Sequence, residues 1–324
     1  MPQPRVKLVV TGDDFGYCAR RNRGMLECFH KGAISNVSLL VNGIAAEEAA
    51  EISKRHSIPI GLHANLSEGL PVCDTLPKGS SLVNEDGYFH GKMGFRKALR
   101  NGQLKMIEVE QELKAQVQLF CELTGQLPHH MDGHQHVHVL PGVRDVFARV
   151  LSDHQIRFTR VPIEPGLHHC SWLSPQLRGF YLQVEQDSLD SVPVFLKHGI
   201  RWPHAYIGLT TMGKSMSVAS LRTALQNAVG TPSPLSSREN AEPRSRCDLT
   251  AVPGSSLKGD GTMTVELMVH PGYPSLPQEG GCGEGPDDFS QSLDRLHELR
   301  TLTDPELRCL YKEKNIQLCA FRDL

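Results

Sequence analysis

Residues 6–16, VKLVVTGDDFG, carry a pattern that recurs along the whole chain. The run VKLVVT is mostly apolar and β-branched, and it is followed by a glycine and two aspartates, as a buried strand is followed by a polar loop. Similar apolar runs are found at residues 34–43, 58–67, 156–162, 204–212, 263–269 and 316–321. Segments with helical spacing or turn residues separate these runs. Alternation of this kind predicts an α/β protein with a mainly parallel sheet of about seven strands.

Helices are predicted from apolar spacing and from capping residues. The segment 106–125 is long and amphipathic and ends at Gly125, a residue type that commonly terminates helices. Further helices are predicted at residues 18–31, 44–56, 186–198, 218–229 and 288–300, from about Pro141, and from Pro305 with Asp304 as N-cap. The number and length of these units favour a closed or nearly closed (β/α) barrel over an open doubly wound sheet.

Two stretches interrupt the alternation. Residues 67–100 are rich in glycine, proline and serine, and we expect an ordered but irregular excursion that could form one wall of a cleft. Residues 229–261 combine proline, serine, glycine and charge without an apolar period, which predicts a flexible insertion. Residues 1–324 are therefore expected to form one domain that carries this insertion.

The composition excludes several classes of protein. The 324 residues have a net charge of −2, which gives no basic surface for nucleic acid. Nine cysteines without a CxxC pair are typical of reduced thiols in an intracellular protein. The N-terminus lacks a signal-peptide core, no apolar stretch reaches the length of a membrane span, and dinucleotide and P-loop motifs are missing. We expect a cytoplasmic protein without a membrane partner, with nuclear entry left open.

The histidine-rich stretch HHMDGHQHVH, residues 129–138, contains five of the sixteen histidines. Imidazole and carboxylate side chains are typical ligands of catalytic divalent metals. In an extended strand the even-numbered residues would share one face, namely His130, Asp132, His134, His136 and His138. Gly133 could bend that strand, so that only part of the set converges. The alternative is a histidine-rich surface loop that binds metal adventitiously.

Polar side chains also follow the other predicted strands. They are Asp13 and Asp14 after the first strand, His63 after the third, Arg160 after the fifth and His270 after the seventh. Because the carboxyl ends of parallel strands meet at the active site of α/β proteins, we expect these residues to lie together. Asp14, His63 and His134 would then supply three ligands and leave positions open for water and substrate, as a catalytic metal requires.

Three of these residues suit acid–base chemistry beside such a metal. Asp13 could act as a base while Asp14 binds the ion, and His270 could be the acid that protonates a leaving group. Arg160 could orient Asp13 by ion pairing and thereby lower its pKa. Each residue type also has an ordinary structural role, as turn or N-cap aspartates, core or turn histidines, and a surface arginine at a strand end.

The segments TGDDFG, GLHANL, MDGHQHVHVLP, TRVP and LMVHPGYP follow one another in this order, and with them the chain closely resembles the eukaryotic YdjC-like carbohydrate deacetylases. The resemblance covers nearly everything except residues 229–261. It implies a distorted (β/α) barrel related to polysaccharide deacetylases. It also implies hydrolysis of the N-acetyl group of N-acetylglucosamine units in short oligosaccharides. The divalent metal of this family, which is also known as the chitooligosaccharide deacetylases, is usually assigned as Mg²⁺, and Zn²⁺ is used by the wider deacetylase group.

Residue roles follow from the resemblance by position. It implies that Asp14, His63 and His134 bind the metal, that Asp13 is the base, that His270 is a candidate acid, and that Arg160 is the arginine of the fifth-strand motif. His130 and Asp132 are expected to support the metal histidine, whereas His136 and His138 are expected to pack or to form hydrogen bonds. Gln135 departs from bacterial relatives, which often have a further histidine there.

Two other functions stay open. Amidohydrolase-like and phosphoesterase-like barrels also carry H-x-H near a strand, but usually at the first strand and with two metals, whereas the first strand here has Asp13 and Asp14. A non-enzymatic binding protein on the same barrel is the other alternative. Trp202 and Tyr273 are candidates for stacking on a sugar ring, and a homodimer stays open.

Overall fold

The computed structural model describes residues 5–230 and 262–324. Its strands are β1 (Val6–Phe15), β2 (Asn36–Leu39), β3 (Ile60–Ala64), β4 (Met131–Gly133), β5 (Ala205–Ile207), β6 (Met263–Val269) and β7 (Ile316–Cys319). They form one parallel sheet in the order β4-β3-β2-β1-β6-β5, and β7 also pairs with β1. The prediction of an α/β protein with about seven mainly parallel strands is confirmed.

Strand β1 lies at the centre of this sheet. On one side it pairs with β6 from Val6 to Gly12. It also pairs with β7 along its first half and with β2 along its second half. Leu8 and Val10 are fully buried, which explains why the strand is a nearly continuous apolar run rather than an alternating one.

The predicted fifth strand, residues 156–162, is wrong as a strand. Only Phe158 forms a bridge, in parallel with Arg201. The carbonyl of Arg160 accepts a hydrogen bond from His138 rather than from a neighbouring strand, and Pro162 has no N–H to donate. The segment nevertheless lies beside β4, because the N–H of Met131 donates to the carbonyl of Phe158 at 3.0 Å. The sheet therefore curls towards a barrel without a continuous ladder between β4 and β5.

Ten α-helices are found in the described residues, besides several short 3₁₀ helices. They are α1 (Ala19–His30), α2 (Ala46–His56), α3 (Gly91–Arg100), α4 (Met106–Thr124), α5 (Val143–Asp153), α6 (Pro175–Lys197), α7 (Val218–Gly230), α8 (Asp288–Gln291), α9 (Asp294–Leu302) and α10 (Pro305–Glu313). The predicted ends of α4 and α10 are confirmed. Gly125 takes a left-handed conformation with φ 73°, and the carboxylate of Asp304 accepts a hydrogen bond from the N–H of Glu306 at 2.8 Å.

Three helix predictions need correction. Helix α3 occupies the end of the stretch expected to be irregular, because Phe95 and Ala98 are buried at helical spacing. Helix α6 begins eleven residues earlier than expected, with Ser174 as a hydrogen-bonding N-cap. The single helix predicted at 288–300 is two helices, because Ser292 has extended backbone angles.

The predicted insertion at 229–261 lies outside the described residues except for its first two positions. Among the helices of the described part of the chain, none combines the length and the apolar character needed to cross a bilayer.

Candidate active site

A bulge in β1 places two adjacent carboxylates at one site. Neighbouring residues of a regular strand point to opposite faces. Between Gly12 and Phe15, however, β1 has one residue more than β2 has between Val37 and Leu39. Asp14 has a left-handed backbone in this bulge, with φ 63°. Aspartate tolerates this conformation better than most residues. As a result Asp13 and Asp14 both line the same cleft, which is a common use of a bulge.

Asp14, His63 and His134 converge in this cleft. His63 Nε2 lies 3.4 Å and His134 Nδ1 lies 3.1 Å from Asp14 Oδ1, and the two nitrogens are 3.3 Å apart. Ligand atoms about 2.0–2.2 Å from one divalent ion are separated by roughly 3.0–3.5 Å. Asp14 Oδ1 is buried, and apart from these two imidazole nitrogens it has no hydrogen-bond donor among the described residues. These three atoms, called the ligand triad below, therefore fit a divalent metal with positions left for other ligands.

Asp132 orients His63. Strands β3 and β4 pair these residues side by side, and Asp132 Oδ1 lies 2.5 Å from His63 Nδ1. Since a carboxylate only accepts, Nδ1 carries a proton, and in the neutral ring Nε2 faces the triad with its lone pair. The expectation that Asp132 and His130 support His134 is wrong, because Asp132 serves His63 and the His130 ring stacks on Phe321 with centroids 4.1 Å apart.

The chain turns sharply after His134. Gln135 and His136 are both left-handed, with φ 54° and 59°. Gly133 permits the turn, since a Cβ there would lie 2.7 Å from His138 Nδ1. Of the two arrangements considered for residues 130–138, the continuous extended strand is wrong, and the bend that lets only part of the set converge is confirmed. His134 alone of the four even-numbered histidines joins the triad, and the expected role of His138 in hydrogen bonding is confirmed by its contact with the Arg160 carbonyl at 3.0 Å.

Glu68 is the site residue that sequence reasoning missed. Its Oε2 lies 2.9 Å from His134 Nε2, so the second histidine also has a carboxylate partner. Glu68 follows β3 by four residues in the run NLSEG, and a polar residue after a predicted strand was a signal that could have been used. The carboxylates overcome the lowering effect of burial and raise the pKa of His63 to about 9 and that of His134 to about 10. The site thus attracts positive charge, from protons or from a metal.

Arg160 forms the centre of a buried ion cluster. Its guanidinium donates to both oxygens of Asp13, at 2.6 and 2.8 Å, and to Glu266 at 3.0 and 2.9 Å. It also lies 3.1 Å from Asp132 Oδ2. The expected ion pair with Asp13 is confirmed, and Arg160 lowers the pKa of Asp13 as expected. Burial raises that pKa by more, so the pKa of Asp13 lies above its ordinary value.

His270 follows β6 and also lines the cleft. Its backbone is fixed from α9, where Glu298 accepts its N–H at 2.5 Å and Arg295 donates to its carbonyl at 2.9 Å. His270 Nδ1 is buried without a hydrogen-bond partner among the described residues. Burial, with the cations Arg295 and Arg21 nearby, holds the pKa of His270 well below its usual value despite Asp14. The ring is therefore neutral at neutral pH.

The cleft has a volume of about 270 Å³ and combines polar and aromatic walls. Tyr17, Phe180, Tyr181 and Phe289 provide the aromatic surface. Lys92, at the start of α3, lies over the Phe180 ring at 3.9 Å, so the stretch expected to form a wall does contribute to one. The sugar-stacking candidates Trp202 and Tyr273 lie elsewhere: Trp202 packs against the core and Tyr273 donates to Glu27 at 2.6 Å.

Comparison with known proteins supplies an independent view of the chain. A family model described as YdjC-like protein matches residues 7–313. A protein of Danio rerio named carbohydrate deacetylase is 61% identical over all of both chains. A protein of Xenopus laevis with the same name is 54% identical over 99% of both chains.

Among solved structures, a candidate cellobiose-phosphate cleavage protein of Enterococcus faecalis V583 superposes with a TM-score of 0.66. It is 21% identical, and the match covers 98% of both chains. At that identity the likeness concerns the fold alone.

Proposed function

We propose that this chain, which belongs to the YdjC-like protein family, is a metal-dependent carbohydrate deacetylase. It hydrolyses the acetamide of N-acetylglucosamine units in short oligosaccharides and releases acetate. The relatives named carbohydrate deacetylase support the reaction class. The observation that carries the proposal is the ligand triad, which shares one cleft with Asp13 and His270.

Asp14, His63 and His134 would hold the metal, and Arg160 would keep Asp13 in place. A divalent ion at the triad supplies Lewis-acid chemistry, since it polarises a carbonyl oxygen and makes a water molecule more acidic. Asp13 accepts the proton that water loses as it attacks the acetamide carbon. His270 delivers a proton to the departing amine. Because free His270 is neutral, it first receives the proton that Asp13 has taken from water, and this transfer returns Asp13 to its basic form.

A single metal agrees better with these contacts than two. Asp13, His63 and Asp132 also lie close enough together to hold a cation. The guanidinium of Arg160, however, already contacts both carboxylates, and a second metal would face that positive charge. The arrangement therefore argues against a two-metal amidohydrolase or phosphoesterase site.

The substrate proposal is tested with N,N'-diacetylchitobiose and the metal-loaded protein, by measuring released acetate. The wild type is expected to release acetate, and Asp13→Asn is expected to lower kcat by about 100-fold or more, as loss of a general base does. Asp145→Asn, on the exposed side of α5, is the matched control and should keep wild-type kcat. His270→Gln provides a second test in case Asp13→Asn disturbs the Arg160 cluster. No acetate from the wild type, or full rates in both variants, would refute the assignment.

The metal itself is the subject of another prediction. Two imidazole nitrogens and one carboxylate suit Zn²⁺ and its neighbours better than Mg²⁺, which prefers oxygen ligands. We therefore expect the metal-free protein to bind Zn²⁺ more tightly than Mg²⁺ by about 100-fold or more. Competition with a chromophoric chelator measures both affinities. Equal or tighter binding of Mg²⁺ would instead support the expectation drawn from the family resemblance.

A further inference from the structure

The two histidines of the ligand triad reach it through different ring nitrogens. His63 presents Nε2 and His134 presents Nδ1. In each ring the other nitrogen contacts a carboxylate. Asp132 contacts His63 Nδ1 at 2.5 Å, and Glu68 contacts His134 Nε2 at 2.9 Å. The two carboxylates thus fix the rings in opposite orientations, so that His63 directs Nε2 and His134 directs Nδ1 into the triad.

A carboxylate can only accept a hydrogen bond, so the nitrogen that faces it carries the proton. In a neutral imidazole the other nitrogen then has the lone pair that a metal needs. For His134 this makes Nδ1 the ligand atom. If the ring were reversed, Nε2 would face Asp14 and Nδ1 would face Glu68, and the distances within the triad would change.

Glu68 is itself held firmly. Its backbone N–H donates to Asn65 Oδ1 at 3.0 Å, and its carbonyl accepts from Asn65 Nδ2 at 2.8 Å. Asn65 is fully buried and is fixed in turn by Gln116 of α4, whose side chain bonds both its N–H and its carbonyl. The next residue, Gly69, lies so close to Cys282 that an added Cβ would be 2.0 Å from the Cys282 carbonyl oxygen. The backbone on both sides of Glu68 is therefore fixed, which keeps its side chain within reach of His134.

From these contacts we propose that Glu68 is a positioning residue that selects Nδ1 of His134 as the metal-binding atom. It acts through the ring and does not touch the metal or the substrate. This inference rests on the proposed metal site, and it predicts an effect on metal binding that can be measured without any substrate.

The experiment uses the full chain loaded with Zn²⁺, a diamagnetic ion, and ¹⁵N-labelled histidine. Long-range ¹H–¹⁵N spectra report which nitrogen of each ring is protonated and which is bound to metal. The wild type is expected to show bound Nδ1 in His134 and bound Nε2 in His63. Glu68→Ala is expected to weaken Zn²⁺ binding by about 10- to 100-fold, the usual cost of removing a partner of a metal histidine, and to give a mixture of ring states for His134 only. Glu68→Gln keeps an accepting oxygen, so its Zn²⁺ affinity should lie between that of the wild type and that of Glu68→Ala.

Two controls separate the ring contact from other effects. Glu85→Gln removes a charge from an exposed position in the same irregular stretch and should leave Zn²⁺ affinity unchanged. Glu284→Ala removes the acceptor of the Gly69 N–H, which loosens the loop without touching His134, and should leave the His134 ring state unchanged. The proposal is overturned if Glu68→Ala keeps wild-type affinity and ring state, or if Glu284→Ala changes the ring state as much. Wild-type protein that binds no divalent metal would instead refute the proposed metal dependence.

Discussion

His134→Ala is expected to abolish both metal binding at the triad and acetate release. The substitution leaves only Asp14 and His63, and it also removes the partner of Glu68. Because loss of a supporting carboxylate alone costs 10- to 100-fold in affinity, loss of a ligand should weaken Zn²⁺ binding by more than about 100-fold. The fold should survive, since the His134 side chain lies at the cleft and not in the core. Metal content after gel filtration, acetate release and thermal unfolding of the metal-free protein measure the three effects.

His136→Ala is the matched comparison for this experiment. His136 comes from the same histidine run and lines the same cleft, but it is not part of the ligand triad. This variant should keep its metal. If His136→Ala lost the metal and His134→Ala kept it, the assignment of the ligand would be wrong.

Arg160→Met should have the largest effect on stability. Arg160 is fully buried and is the only cation that contacts Asp13, Asp132 and Glu266 together within the described residues. Methionine fills much of the volume but removes the one guanidinium that these three carboxylates share. Breaking a buried ion pair on one side typically costs about 3–5 kcal/mol. Urea unfolding monitored by circular dichroism measures this loss in the free energy of unfolding.

An arginine on the surface provides the control. Arg149 on α5 lies 3.1 Å from Glu110, but its side chain is 47% exposed. Surface ion pairs contribute about 0–1 kcal/mol, so Arg149→Met should change the free energy of unfolding by no more than that. Arg160→Lys is not a mild replacement, because one ammonium group cannot donate to Asp13 and Glu266 with the planar fork of a guanidinium. Full stability in Arg160→Met would show that the cluster does not depend on its cation.

The convergence of the site could be predicted from the sequence because it follows from topology. Asp14 and His63 lie at the carboxyl ends of parallel strands, and those ends meet wherever the strands form one sheet. The ion pair between Arg160 and Asp13 followed from the same reasoning, although the strand expected at Arg160 was wrong.

The orientation of individual side chains was beyond that reasoning. The sequence TGDDFG does not indicate that the backbone of Asp14 is left-handed in a bulge, because a regular strand end could have the same sequence. The alternation that would place His130 to His138 on one face ends at the bend after Gly133, and the sequence allowed this bend without showing which histidine would remain in the site. The position of Glu68 after a predicted strand marks it as a candidate, but its contact with His134 depends on a loop that Asn65 and Gln116 hold. A contact between residues this far apart in the chain leaves no local pattern.

The central place of β1 also has a consequence for biosynthesis. It is synthesised well before β6 and β7, which cover one of its edges and half of the other and come only after residue 262. Until then a nascent chain holds an apolar strand whose N–H and C=O groups are largely unpaired, and such edges recruit other chains. Premature termination before β6 should therefore yield aggregates rather than a partly active enzyme.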